Sequence, residues 1–380
     1  MFSYIDALKI LTSGRMITVV LIVIAFIYAG QTLWLRRGLG KVSGLSRPEN
    51  DEPTVAVIVA ARDEELYIAD CMQSLIELDY PASKLEIVIV NDGSSDRTRE
   101  IAESFTGRHP GIKVVTTRPG RDNLRGKTNA VAQGIEACRG EFLMFTDADC
   151  VVPREWVRET VASFDARVGI VGGFTMLKAQ TLFEGLQALD WVYLFSLSSA
   201  MAGRRLPLTV IGNNLSVRRS AYAATGGFSM IPFSVTEDYA LVQAIVTRTK
   251  YAVVFPVKKE TLVTSRACRS LRQLYRQKQR WGVGGLDMVF RGLVMMLVGW
   301  LNRLLLVLTA LLMPGAPLFA ALVATCIVDL LFLWKPLKTF GRIGELKYFP
   351  LFELYFTIYV LALPFIAVLS RHVVWKERKL

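Results

Sequence analysis

The apolar runs at the two ends of the chain constrain its fold more than any other feature. Residues 17–35 read ITVVLIVIAFIYAGQTLWL without a charged side chain, and further apolar runs lie at residues 293–313, 316–334 and 349–370. A helix of about 20 apolar residues crosses a hydrocarbon core of roughly 30 Å. Residues 50–290 have an ordinary soluble composition within a chain of 380 residues. The sequence therefore predicts one soluble α/β domain with flanking transmembrane helices.

The first apolar run is predicted to be a retained anchor rather than a cleaved signal peptide. Arg36 and Arg37 follow it where a small-residue cleavage site would stand. More basic residues follow this run than precede it, so the soluble domain is expected on the cytoplasmic side of the plasma (inner) membrane. The predicted units are a short segment 1–15, the anchor 16–36, the soluble domain 50–270, an interfacial helix 271–292, two to three membrane helices in 293–370 and a basic tail 371–380.

The last apolar run has basic residues on both sides. If residues 349–370 cross the membrane, the two basic groups must lie on opposite faces, against the positive-inside tendency. Glu353 and Pro364 interrupt this run, so a re-entrant or tilted interfacial course is the alternative. Asn302 and Arg303 make the run at 293–313 unusual as well.

Charge, cysteine and histidine counts exclude several classes of protein. The formal charge of +12 suggests nucleic acid, but the basic residues cluster beside the apolar runs. We therefore expect contact with membrane lipids and no nucleic acid. The five cysteines show no CxxC spacing, which predicts reduced thiols and no zinc site. Because the chain has only His109 and His372, carboxylates must supply any acid–base catalysis.

The soluble domain alternates strand-like and helix-like segments. Continuous apolar strands of this kind are typical of a mostly parallel sheet covered on both faces. Polar residues follow three of the strands, at 61–64, 91–93 and 147–149. Since ligands of such sheets bind at the carboxyl ends of the strands, we expect these residues to meet along one edge.

Asp147 and Asp149 are the candidate metal ligands. Two carboxylates this close are stable when a cation lies between them and another anion, and Mg²⁺ or Mn²⁺ prefers such oxygen ligands together with phosphate oxygens. No glycine-rich phosphate loop is present, so a metal is expected to hold the diphosphate. The alternative is a solvated acidic pair at the end of a strand.

Two further motifs each have two interpretations. Thr236-Glu237-Asp238 is either the capped start of a helix or the location of a carboxylate base. In RQKQRW, helical spacing puts Gln277, Arg280 and Trp281 on one face. That face suits a diphosphate and a sugar ring, and it equally suits a membrane-surface helix.

The motifs taken together resemble membrane-bound glycosyltransferase family 2. They are VAARDEE, VNDGSSDRT, GKTNAVAQG, TDADC, TED and QKQRW, in this order over about residues 54–285. The family includes cellulose, chitin and hyaluronan synthases, and ceramide glucosyltransferase is similar. The resemblance implies a cytoplasmic GT-A-type (Rossmann-like) nucleotide-sugar domain.

The resemblance also implies roles for individual residues. Asp238 would be the catalytic base, supported by Glu237, and Asp149 would bind the metal while Asp147 orients the nucleotide or the donor sugar. The implied substrate-binding residues are Ala61, Glu64, Asp92, Lys127, Asp147, Asn213, Asn214, Gln277, Arg280 and Trp281. Relatives commonly carry asparagine where this chain has Asp63 and Ala132, which weakens nucleotide contacts at those two positions.

The implied activity is inverting, metal-dependent transfer of a sugar from a nucleoside diphosphate donor, expected to be a UDP-sugar. With so few membrane segments to form a pore, we expect a membrane-embedded acceptor of the glycolipid, carotenoid or polyprenyl class. A processive polysaccharide synthase acting on a glycan acceptor is the first alternative. A non-catalytic nucleotide-binding membrane scaffold is the second.

Overall fold

The structure is a computed structural model that describes residues 4–42, 52–120, 124–369, 374–375 and 378–379. The expected start of the soluble domain at residue 50 and most of the basic tail lie outside these residues. The strands are β1 Val55–Ala61, β2 Leu85–Asn91, β3 Ile112–Thr116, β4 Phe142–Asp147, β5 Val168–Gly172, β6 Thr175–Lys178, β7 Leu215–Arg218, β8 Ala252–Val254, β9 Val263–Arg266, β10 Val374–Trp375 and β11 Arg378–Lys379.

The described α-helices occupy both ends of the chain and alternate with the strands between them. They are α1 Tyr4–Arg36, α2 Ile68–Ile76, α3 Thr98–Glu103, α4 Gly126–Glu136, α5 Trp156–Val161, α6 Leu182–Gly203, α7 Arg219–Ala224, α8 Glu237–Arg248, α9 Leu271–Gly285, α10 Phe290–Leu312, α11 Ala316–Thr339 and α12 Phe349–Leu369.

The main sheet has the order β3-β2-β1-β4-β7-β5-β8. β3, β2, β1 and β4 run parallel, whereas β7 is antiparallel to both of its neighbours. Ala61 pairs with Asn91, and Ala60 pairs with Asp147, so the carboxyl ends of β1, β2 and β4 lie side by side. The expected mostly parallel α/β sheet, with its polar strand ends at one edge, is confirmed.

Apolar side chains cover both faces of this sheet. In β1, Ala56 and Ile58 belong to one buried cluster, while Val55, Val57 and Val59 belong to the other. Helix α4 packs so closely on β1 and β2 that a Cβ added at Gly134 would lie 2.6 Å from the Ile58 side chain. Alternate residues of one strand therefore serve two cores, as expected for a strand without a solvent face.

Four helices are long and apolar enough to cross a membrane: α1 from Met16, α10, α11 and the segment containing α12. Three of them lie toward the C-terminus, where the sequence predicts two to three membrane helices. α1 begins at Tyr4, so residues 4–15 are helical rather than a separate segment before the anchor. The expected single interfacial helix over 271–292 is wrong: α9 ends at Gly285 and α10 begins at Phe290. Gly284 and Gly285 have low helix propensity, which favours this break.

Three of these helices form one bundle. Gln31 of α1 donates a hydrogen bond to the Met295 carbonyl, and Gly14 lies beside Met313, so α1 and α10 are antiparallel. Arg36 donates to the Leu331 carbonyl at 3.0 Å, which puts the ends of α1 and α11 on the same side of the bundle. Leu35 and Phe340, at these two ends, belong to the same buried cluster as Ala56 and Ile58 of the α/β domain. The bundle is therefore anchored directly to the soluble domain.

Candidate active site

Asp147 and Asp149 lie at the carboxyl end of β4. Asp147 is the last residue of the strand, and Asp149 follows it in a turn. The Asp149 carboxylate accepts hydrogen bonds from the Ser265 hydroxyl at 3.3 Å and from the Cys150 thiol at 3.5 Å. Burial, followed by the charge of Asp147, raises the pKa of Asp149. This carboxylate has no basic partner among the described residues.

Lys127 joins two of the predicted motifs. Its ammonium group lies 2.7 Å from Asp147 Oδ1 and 3.1 Å from Glu237 Oε1. Burial alone would lower the pKa of Lys127, but the charges of Asp147 and Glu237 outweigh it and raise that pKa above its ordinary value. Because Lys127 lies in the first turn of α4 and Glu237 begins α8, one cation fixes two helix ends against β4.

Asp238 is held in the first turn of α8. Its carboxylate accepts the Gly212 N–H at 2.7 Å and its neighbour Tyr239's N–H at 2.8 Å. Burial and the charge of Glu237 raise its pKa to about 6. A Cβ added at Gly212 would lie 3.3 Å from the carboxylate, so glycine permits this close approach. Thr236 occupies the cap position of α8, but its hydroxyl makes no capping hydrogen bond.

A cleft of about 160 Å³ brings the predicted motifs together. Nine predicted residues line it: Lys127, Asp147, Asp149, Asn213, Glu237, Asp238, Gln277, Arg280 and Trp281. The face that helical spacing predicts for α9 is thus turned into the cleft. Gln277 Oε1 is buried and has no hydrogen-bond partner among the described residues, so it is free to accept from a ligand.

Ala61, Glu64 and Asp92 lie at the ends of β1 and β2, apart from the residues that line the cleft. The Ala61 carbonyl accepts the Asp92 N–H at 2.8 Å, and the Asp92 carboxylate accepts from the Thr117 hydroxyl at 3.1 Å. The Glu64 N–H donates to the Thr98 hydroxyl at 2.7 Å. These residues form a polar shelf at the same edge of the sheet as Asp147.

Asn214 does not line the cleft, although the sequence marks it as substrate-binding. Its amide nitrogen donates to the Phe174 and Thr261 carbonyls at 2.8 and 2.9 Å, and its oxygen accepts from the Trp156 indole at 3.0 Å. Through these buried hydrogen bonds, the Asn214 side chain joins neighbouring segments of the fold. Its neighbour Asn213 does line the cleft and accepts from the Thr175 hydroxyl at 3.0 Å.

The two positions at which relatives commonly carry asparagine have structural explanations. Asp63 has a φ of +50°, a conformation that asparagine and aspartate tolerate better than most residues. Its carboxylate accepts hydrogen bonds from the Ser95 N–H and hydroxyl at 2.8 and 3.1 Å. Ala132 is buried in the core between α4 and the sheet and does not line the cleft.

Trp191, Ser265 and Arg266 also line the cleft, and the sequence motifs do not include them. Trp191 comes from α6, and its ring centroid lies 5.7 Å from that of Trp281, so two indoles form one wall. No local spacing connects Trp191 with Ser265 and Arg266, since α6 and β9 are far apart in the sequence. The one available signal is the tryptophan in the middle of a long, mostly apolar helix.

A buried ion pair supports this indole wall. The Lys278 ammonium bonds the Asp190 carboxylate, and it lies 4.4 Å from the Trp281 ring centroid and 4.2 Å from the Tyr359 ring centroid. Tyr355 donates to the same carboxylate at 3.3 Å. Lys278 and Asp190 are each 3% exposed, so the pair is shielded from water. It links α6, α9 and α12 immediately behind the cleft.

Comparison with known proteins identifies the family. Residues 56–240 match Glycosyl transferase family 2. The chain carries a glycosyltransferase family 2 domain. This domain covers the strands and helices that position Asp92, Lys127, Asp147, Asp149 and Asp238. The resemblance seen in the sequence motifs is thereby confirmed.

Curated relatives of the family 2 chain include proteins of two kinds. It is 30% identical over 267 residues to a beta-monoglucosyldiacylglycerol synthase of Synechocystis sp., covering 66% of this chain and 52% of that one. It is 26% identical over 245 residues to a poly-beta-1,6-N-acetyl-D-glucosamine synthase of Staphylococcus epidermidis, covering 62% and 56%. The chain thus spans about half the length of the curated relatives that it matches.

A solved structure shares most of this fold. The mannosyltransferase PcManGT of Pyrobaculum calidifontis, solved with GDP-Man and Mn²⁺, aligns with a TM-score of 0.61. The alignment covers 90% of this chain and 99% of that one, at 20% sequence identity. The fold class, a GT-A domain flanked by apolar helices, is confirmed by this likeness.

Proposed function

We propose that this chain is an inverting, metal-dependent glycosyltransferase that moves a sugar from a nucleoside diphosphate donor to a lipid acceptor in the membrane. The observation that carries the proposal is the convergence of three motifs on one cleft. Asp147 and Asp149, Glu237 and Asp238, and the Gln277–Trp281 face come from distant parts of the chain. A scaffold that only bound nucleotide would not need a base of this kind beside them.

The nucleotide is assigned to the shelf at the ends of β1 and β2. Asp92 and the backbone near Ala61 and Glu64 would contact the base or the ribose, since strand ends are the usual ligand edge of such sheets. The diphosphate would then extend toward Lys127 and Arg280, whose charges oppose its own. A UDP-sugar is the expected donor, and PcManGT, with GDP-Man, is the structural likeness that supports a nucleotide sugar.

Asp149, with Asp147 beside it, would hold Mg²⁺ or Mn²⁺. The donor set fits: Asp149 is a half-buried carboxylate that accepts hydrogen bonds from a hydroxyl and a thiol. Among the described residues no group of three or more metal-binding side chains is assembled. This is compatible with an ion held by one or two carboxylates and by phosphate oxygens. When bound, such an ion neutralises charge on the departing diphosphate.

Asp238 would take the proton of the acceptor hydroxyl as that oxygen attacks the anomeric carbon. Its raised pKa of about 6 leaves it ionised at neutral pH while making it a better base than an exposed aspartate. Glu237 and Lys127 hold α8 in place, and Arg280 would bind the diphosphate as its bond to the sugar breaks. Attack opposite the leaving group inverts the anomeric centre. The indole wall of Trp191 and Trp281 suits a sugar ring.

A lipid acceptor fits the apolar helix α12, which packs against α9 behind the cleft, and the Synechocystis relative supports this class. Glycolipid, carotenoid and polyprenyl acceptors all belong to it. The Staphylococcus relative favours the alternative, a processive polysaccharide synthase acting on a glycan. Basic residues at the ends of α1 and α11 support a cytoplasmic catalytic domain at the plasma (inner) membrane.

The test uses purified full-length protein in native lipid extract with Mg²⁺ or Mn²⁺ and a panel of radiolabelled nucleotide sugars. Products are separated into organic and aqueous phases, with Asp238→Asn as the inactive control. Label in the organic phase that the variant fails to transfer supports the lipid acceptor. Label in an aqueous polymer whose length rises with time favours the processive alternative. Donor binding without any transfer contradicts the enzyme assignment.

A further inference from the structure

The course of α12 differs from that of the three bundled helices. Its first turn packs against the end of α11 that lies next to the α/β domain: Phe352 shares a buried cluster with Leu333 and Leu337. Lys335 in the same part of α11 bonds the Leu39 carbonyl, just beyond the end of α1. Helix α12 therefore starts on the membrane face that carries the α/β domain.

The last turns of α12 return to that same face. A Cβ added at Gly282 of α9 would lie 3.0 Å from Leu363 and 3.2 Å from Ala367. A perpendicular helix of this length would rise about 30 Å. It would end at the far side of the bundle, where Gly14 of α1 meets Met313 after α10. The contacts of Leu363 and Ala367 with α9 exclude that course.

Between its ends, α12 contacts two helices of the soluble domain and the first half of α10, where the Trp300 indole donates to the Leu361 carbonyl at 3.4 Å. Tyr355 donates to Asp190 of α6, and the Tyr359 ring receives the Lys278 ammonium of α9. The opposite side carries large apolar residues at helical spacing, all at least half exposed: Leu351, Leu354, Ile358, Phe365 and Val368. One side of α12 is thus bound to protein, and the other is a continuous apolar stripe.

We infer that α12 lies in the membrane interface beneath the active site and does not form a fourth span. Its apolar stripe fits the boundary between lipid headgroups and acyl chains, as in other helices with one apolar face. The basic residues before and after α12 then lie on the same membrane face, which removes the conflict with the positive-inside tendency. The inference is independent of the proposed reaction.

Two epitope tags test the sidedness of the full chain. One is inserted between Pro314 and Gly315, in the loop between α10 and α11, and the other follows Leu380. Antibody access is compared in intact and permeabilised spheroplasts. If α12 lies in the plane of the membrane, the two tags are on opposite faces, and only one of them is accessible before permeabilisation. Equal access to both tags would mean that α12 crosses the membrane, and it would overturn the inference.

A matched pair of substitutions distinguishes an in-plane helix from a re-entrant one. Ile358 in α12 and Ile327 in α11 are 61% and 50% exposed and lie in the middle of their helices. Arginine at the interface can extend to the headgroups, whereas arginine in the middle of a span places a charge in the hydrocarbon core at a large cost in free energy. Ile358→Arg should retain most of the folded protein in detergent extracts, and Ile327→Arg should lose most of it. Equal losses would contradict the in-plane course.

Discussion

Two clusters of opposite charges in this protein use similar residues for different purposes. In the cleft cluster, Lys127, Asp147, Glu237 and Asp238 surround a cavity, and the Asp147 side chain is 35% exposed. In the bundle cluster, Arg303 of α10 bonds Asp329 of α11 and Glu353 of α12, and Tyr28 of α1 donates to Asp329 at 2.6 Å. Arg303 and Asp329 are at most 1% exposed.

This difference in exposure indicates which cluster can take part in a reaction. In the cleft cluster, the carboxylates face open space and can exchange a protein partner for a ligand. In the bundle cluster, charged groups from three helices and the Tyr28 hydroxyl from a fourth bond one another, and the described residues leave no space between them for a substrate. Removing a partner there exposes an uncompensated charge to an apolar surrounding. We therefore expect the first cluster to determine activity and the second to determine stability.

Asp238→Asn should have the largest effect on activity. Loss of a general base typically costs roughly 10²- to 10⁴-fold in rate, so kcat should fall within that range. The asparagine keeps the shape of the side chain, and the melting temperature should change little. Steady-state transfer assays and thermal unfolding in detergent measure both quantities. Asp79→Asn, on an exposed aspartate, is the control with unchanged kcat. A variant that loses activity only by unfolding would contradict the division between clusters.

Arg303→Leu should have the largest effect on stability. It leaves Asp329 and Glu353 without their cation, and breaking a buried pair in this way costs about 3–5 kcal/mol. Thermal unfolding in detergent should show a large decrease in melting temperature. The matched change in the cleft, Arg280→Leu, should leave melting nearly unchanged while reducing transfer. If the two variants melt alike, the comparison between the clusters fails.

Lys278→Met should have an intermediate effect, because Lys278 supports the cleft without lining it. The substitution removes the ammonium group that bonds Asp190 and contacts the Trp281 ring, so Trp281 can shift. A small displacement of this kind costs up to about 10²-fold in rate. We expect kcat/KM to fall about tenfold or more. Lys278→Arg keeps the charge and should restore part of the loss. The melting temperature should fall as well, since Asp190 loses its cation. A purely structural role would leave kcat/KM of the folded fraction unchanged.

The pH dependence should show the smallest effect. Because Asp238 must be deprotonated to act as a base, kcat/KM should fall as pH decreases below the pKa of about 6. Glu237 raises that pKa through its charge, so Glu237→Gln should move this acidic limb to lower pH. Rate profiles from pH 5 to 8 measure the shift. A limb that moves to higher pH would contradict the electrostatic explanation.

Much of the cleft could be predicted from sequence because its motifs are short. Asp147 and Asp149 follow an apolar strand, Glu237 and Asp238 begin a helix, and Gln277, Arg280 and Trp281 share a helical face. In each case neighbours along the chain remain neighbours in space. Trp191, Ser265 and Arg266 could not be predicted, since only packing brings α6 and β9 to the cleft. Asn214 is the opposite case, a predicted residue that does not line the cleft. It is next to Asn213 in the chain, but its amide nitrogen donates to two buried backbone carbonyls.

The local structure and the identity of the reactive groups follow from the amino-acid sequence alone. The spacing of apolar residues and the residue types predict the strands, the apolar helices and the acidic strand ends. These features depend on contacts between residues only a few positions apart. Tertiary structure alone decided that β7 is antiparallel, that Lys127 joins Asp147 to Glu237, and that α12 lies along α6 and α9. An apolar helix can be covered equally well by lipid or by protein. Its direction therefore depends on the partners that the fold presents to it.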